Sequence, residues 1–115
     1  MQVVRAPFEA FNRHDVDALV ARVAPDFIWF NVTSNETKVE VQGRDALRAS
    51  LTSYFKSTPT VRSEMENVTQ AGPFVTFLER ASWTSQKGER TQSSVAVYEV
   101  REEKIVRVWY YPALP

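Results

Sequence analysis

Few side chains in this sequence can do chemistry near neutral pH, and their types narrow the reactions available. Cysteine is absent from the 115 residues, which removes thiolate nucleophiles, thiolate metal ligands and disulfides together. His14 is the single histidine and the only side chain whose unperturbed pKa lies near neutrality. It falls where a turn between two helices is expected, and is read as an exposed turn residue rather than an acid–base group. A metal site would then need mostly carboxylate ligands, so no metal is expected. Asp15, Asp26 and Asp45 stand at element boundaries, where carboxylates cap helices and form turns. The three glycines form no phosphate-loop pattern, so no nucleotide cofactor is expected either.

What remains is a set of polarising groups. Strand geometry puts Phe27, Trp29 and Asn31 on one face. The Asn31 amide offers both donors and an acceptor, and either bonds a neighbouring strand or holds a water or a ligand carbonyl. Arg80 shares a face with Thr76, Leu78 and Ser82. It is read either as the partner of Glu64 or Glu66 or as an anion site for a carboxylate or enolate, which its planar fork would grip with two bonds. Tyr54, Tyr98 and Tyr110 carry hydroxyls able to donate to a developing oxyanion or simply to pack with the hydroxyl satisfied.

The elements that must position these groups follow from periodicity. Val4, Phe8 and Phe11 mark a first helix ending near Asn12, with Pro7 in its first turn. Asp15 is placed to cap a second helix whose Val16, Leu19, Val20 and Val23 form a stripe that Pro25 stops. Phe27 to Val32 reads as a strand returning through a polar loop into Thr37 to Gln42. Leu47, Leu51, Tyr54 and Phe55 mark a third helix that ends before Pro59. Val61 to Gln70, Phe74 to Ser85, Glu89 to Arg101 and Lys104 to Tyr111 are strands joined by connections short enough to force antiparallel neighbours. The expected fold is α+β, three helices covering one face of a curved, mainly antiparallel sheet, in one domain spanning 1–115. Val75, Phe77, Trp83, Val95 and Val97 are assigned to the opposite sheet face, as a surface for a homodimer.

Fourteen basic residues balance fourteen acidic ones, and 43% of the chain is hydrophobic. That balance leaves no electrostatic footprint for nucleic acid or an anionic membrane. No apolar run approaches the length of a membrane span, and a cytoplasmic protein is expected.

Particular words strengthen this reading. The stretch from Phe8 to Leu19, with Asn12 and Asp15, together with Ala24-Pro25-Asp26-Phe27, Gly43-Arg44-Asp45-Ala46-Leu47 and the strand from Glu103 to Tyr111, resembles the NTF2-like superfamily and, within it, the SnoaL-like proteins. The resemblance implies a cone in which the sheet wraps a pocket closed by the helices, and in many members a dimer through the outer sheet face. It also implies that the face of Trp29 and Asn31 points into the pocket, for which Arg80, Tyr54, Tyr98 and Tyr110 are the further candidates. The positions matching the base and oxyanion hole of ketosteroid-isomerase-like members are Asn31, Pro7 and Ala96, which supply neither a base nor a side-chain proton. Against limonene-epoxide-hydrolase-like members, Trp29, Asn31 and Arg80 match, whereas the two aspartates fall at Ser82 and Tyr110. The expected function is binding of a small apolar or weakly acidic molecule, by an isomerase, hydrolase or lyase without metal or nucleotide, or by a non-catalytic binding or dimeric interaction module.

Overall fold

The computed structural model describes residues 2–111. Its elements run α1 (Gln2–Asn12), α2 (Val16–Val20), β1 (Val23–Val32), β2 (Thr37–Gln42), α3 (Arg44–Ser57), β3 (Arg62–Ala71), β4 (Phe74–Ser85), β5 (Gly88–Arg101) and β6 (Lys104–Tyr110). The strands form one curved α+β sheet in the order β2-β1-β6-β5-β4-β3. The β1–β6 pair is parallel and the other neighbours are antiparallel. The helices pack on the inner face, α1 against β3 and β6 and α3 against β1 and β2. Among the described residues no helix is long and apolar enough to cross a membrane.

The helices form where the apolar spacing requires them, with two differences in detail. Val4 and Phe8 are buried and Phe11 packs against the core. Pro7, however, lies inside α1 rather than in its first turn, so the carbonyl four residues earlier lacks its usual helical donor. Asp15 caps α2 as expected, its Oδ1 accepting from the Ala18 N–H at 3.1 Å. The second difference is Val23, which opens β1 instead of closing the α2 stripe. Pro25 therefore lies within a strand, and the β1–β6 register skips from Val23 to Ile28, the irregularity expected where a residue has no N–H to give the ladder.

Two polar residues lock these joints. His14 adopts φ 56° and is half-buried rather than exposed. Its Nε2–H donates to the Val61 carbonyl at 2.8 Å, and its ring stacks 4.1 Å from that of Phe55. Arg44 donates from Nε and Nη2 to the Val23 carbonyl at 3.0 and 2.7 Å, which ties the start of α3 to the start of β1.

The meander corrects the assignment of the outer face. Val75 and Phe77, expected outside, are 0% and 3% exposed and belong to the core; Trp83 shares their parity. The reason is register. Val75 pairs with Tyr98 and Phe77 with Ala96, while Thr76 pairs with Val97 and Leu78 with Val95, and directly paired residues share a face. Val95 and Val97 do lie outside, with Leu78 and Phe74. Phe30 stacks on Trp109 there at 5.5 Å, and Phe74 lies 6.5 Å from the same indole.

Candidate functional site

Between the inner sheet face and the helices lies a cavity of about 670 Å³. Its wall is aromatic, with Phe8 and Phe11 from α1, Phe27 and Trp29 from β1, Tyr54 from α3, Tyr98 from β5 and Tyr110 from β6. Alternation along each strand aims these rings inward. Of the side chains singled out in the sequence, Trp29, Asn31, Tyr54, Tyr98 and Tyr110 line this cavity.

Arg80 does not. Its guanidinium reaches Glu66 Oε2 at 3.0 Å on the outer face, with the two side chains 45% and 34% exposed. The ion pair anticipated with Glu64 or Glu66 thus exists, but outside the cone and in contact with water. Since Val75 and Phe77 turn inward, period two sends Glu79 inward with them and Arg80 outward.

Glu79 is the polar centre of the cavity. Ser63 Oγ donates to its Oε2 at 3.0 Å, and the Tyr110 hydroxyl donates to its Oε1 at 2.5 Å. The Tyr98 and Tyr110 hydroxyl oxygens are 2.6 Å apart. Tyr110 has one proton and gives it to Glu79, so the Tyr98 O–H donates to Tyr110. With Glu79 ionised, every donor in the chain points toward the carboxylate.

Ser63 is itself held from α1. Its N–H donates to Asn12 Oδ1 at 2.7 Å, and Asn12 Nδ2 donates to its carbonyl at 3.0 Å. Asn12 thus bonds Ser63 as a neighbouring strand would, which fixes the register of the edge strand β3 under the helix.

Burial sets the electrostatics. Glu79 lies deep in the protein although it borders the cavity, and loss of solvent raises its pKa, against the bonds from Tyr110 and Ser63. The Tyr98 and Tyr110 hydroxyls are also raised, first by burial and then by the Glu79 charge. Tyr54 is raised by the same two causes. A carboxyl held protonated beyond the usual range and facing an apolar cavity is suited to carry a proton.

The remaining groups are simpler. Asn31 Nδ2 donates to Glu40 Oε2 at 3.1 Å in an exposed position, so both side chains sit at the rim. The Trp29 ring lies 5.8 Å from that of Tyr110, and its indole N–H is buried with no acceptor among the described residues. An orphaned donor of that kind costs about 1–3 kcal/mol.

Sequence reasoning passed over Glu79 and Ser63. The missed signal was a lone acid within the most apolar alternation of its strand, Val75, Phe77, Ala81 and Trp83.

The comparisons agree with this architecture. An uncharacterised cystatin-fold protein from Novosphingobium aromaticivorans superposes with a TM-score of 0.81 at 23% identity, over 95% of this chain and 94% of that one. IdmH, a proposed polyketide cyclase from Streptomyces antibioticus, gives a TM-score of 0.80 at 18% identity, over 97% and 89%. A proposed polyketide cyclase from Sinorhizobium meliloti gives 0.75 at 19% identity, over 96% and 94%. No curated protein matches the sequence significantly. The model of the SnoaL-like domain matches residues 4–108, and with the NTF2-like cystatin fold of these structures it places the chain in the SnoaL-like domain family.

Proposed function

We propose that the cavity binds a small, largely apolar carbonyl compound and that Glu79 moves a proton on it, in an isomerase or lyase reaction that uses neither metal nor nucleotide. The observation that carries this reading is the Tyr98–Tyr110–Glu79 chain, a carboxyl set in an aromatic cavity and bonded by the Tyr110 and Ser63 hydroxyls. As a carboxylate, Glu79 accepts a proton from the carbon beside the carbonyl, and as a carboxylic acid it returns that proton to another position. Tyr110 and Ser63 hold the two oxygens in place. Asn31 and Tyr54, on the cavity wall, are the groups available to orient the carbonyl. Removal of a proton beside a carbonyl is also a step that ring closure of a polyketide requires, which accords with the assignments of IdmH and the Sinorhizobium meliloti protein.

The test is deuterium uptake by β-tetralone in heavy water, followed by NMR. Wild type should accelerate uptake and Glu79→Gln should abolish the acceleration while still binding the ketone. Binding without exchange in wild type would favour a non-catalytic module. That second reading draws on the same geometry, since both Glu79 oxygens already have protein donors.

Two wider readings belong to the proposal. The described residues share one core, which supports a single domain over 1–115, with residues 1 and 112–115 outside the described part. The apolar outer face of Phe30, Trp109, Val97, Val95 and Leu78 supports a two-fold homodimer.

A further inference from the structure

The charge of the cavity wall goes beyond the proposed reaction. Among the described residues that line the cavity there are two carboxylates, Glu40 and Glu79, and no lysine, arginine or histidine. Lys38, opposite Asn31 at the rim, and Arg90, two residues from Gln92 in β5, do not line the cavity, and other basic groups around it are engaged elsewhere. Arg44 is bonded to the Val23 carbonyl, Lys104 to the Ala21 carbonyl and Arg80 to Glu66 on the outer face. Arg101 and Arg107 both hold Glu99, and His14 is bonded to Val61. An anion entering the cavity would lose its hydration, meet no counter-ion on the wall and pass the exposed Glu40 carboxylate at the rim. The other polar groups on the wall, Ser50, Ser94, Thr33 and Gln92, are neutral and can bond an uncharged oxygen.

We infer that the cavity selects uncharged ligands and rejects free carboxylates and phosphates, so that its substrate is a ketone, ester or lactone rather than an acid. This deepens the proposed function and replaces the weakly acidic ligand that an inward Arg80 would have served. One consequence follows for the reaction sequence: an acid made upstream must be esterified, lactonised or decarboxylated before it fits.

The experiment compares β-acetonaphthone with β-naphthoate, two molecules of nearly the same shape, by calorimetry at about pH 8, where the acid is ionised. The ketone should bind the wild-type protein at least about 100-fold more tightly than the acid. Gln92→Arg places a cation at an exposed position on the wall and should narrow the preference for ketone over acid by about tenfold or more. Equal affinity for the two probes, tighter binding of the acid, or no binding of the ketone would each overturn the inference. Because the readout is affinity, a protein that discriminates charge without exchanging protons would refute the proposed reaction and leave the charge selection standing.

Discussion

The Tyr110 hydroxyl donates to Glu79 Oε1 at 2.5 Å across two strands that are not neighbours in the sheet. The bond spans β5 because curvature brings the inner faces of β4 and β6 together around the cavity. It stabilises the ionised carboxyl, against burial, which stabilises the neutral one.

Tyr110→Phe removes that donor and should raise the Glu79 pKa further. The acid limb of the pH profile for β-tetralone exchange should move to higher pH, with ketone affinity changed less than about threefold. An unmoved limb with lower exchange at every pH would assign Tyr110 a purely packing role.

Glu79 and Glu99 should oppose each other in the dependence of stability on pH. Glu79 has a folded pKa above the ordinary 4.5, so the unfolded chain releases its proton first as pH rises. Its contribution to stability is complete below about 4.5 and is lost as pH climbs through the folded value, by up to about 1.4 kcal/mol per unit. Glu99 is held below 4.5, chiefly by the bond from Arg107 and against its own burial. Its contribution is present above that value and lost as pH falls through the folded one. Urea titrations across pH should show Glu79→Gln flattening only the upper limb. Loss of the acid limb instead would reverse the assignment.

Arg80→Met should change stability by no more than about 1 kcal/mol, because its pair with Glu66 is half exposed and screened by water. Thermal melts measure this directly. A loss of several kcal/mol would mean that the pair is desolvated in solution, as it would be inside an interface.

The β5–β6 turn carries Glu102 at φ 51° and Glu103 at φ 63°, a left-handed pair that asparagine and glycine adopt at lower cost. Glu102→Asn combined with Glu103→Gly should stabilise the fold by about 1 kcal/mol. For a domain of this size that is a rise of about 4 °C in Tm.

Val95 is 48% exposed at the centre of the apolar outer face. Val95→Asp should convert a wild-type dimer to monomer in sedimentation, since an unpaired ion buried at an interface costs several kcal/mol. A wild-type protein that sediments as a monomer at micromolar concentration would remove the dimer.

Local physics made most of the fold legible. The Asp15 cap, Pro59 after α3 and the short connections set the order of elements, and β4 spans Phe74–Ser85 as its alternation requires. The words around Asn12, Asp15 and Arg44 pointed to the family, and the structure gives their reasons: Asn12 bonds Ser63, Asp15 caps α2 and Arg44 binds the Val23 carbonyl. What the sequence left open was which side of each strand faces in. Period two defines two faces without naming them, and in β4 both faces carry apolar residues, Val75 and Phe77 on one and Phe74 and Leu78 on the other. Only pairing with β5 decided between them, by setting Val75 opposite Tyr98 and Phe77 opposite Ala96. That one-residue parity moved Arg80 out to Glu66 and Glu79 in to Tyr110, and with them the chemistry of the site. Cross-strand register is a property of the assembled sheet, so the inner aromatics of β1, β5 and β6 could be named as candidates with the help of the family resemblance, whereas the acid they surround could not.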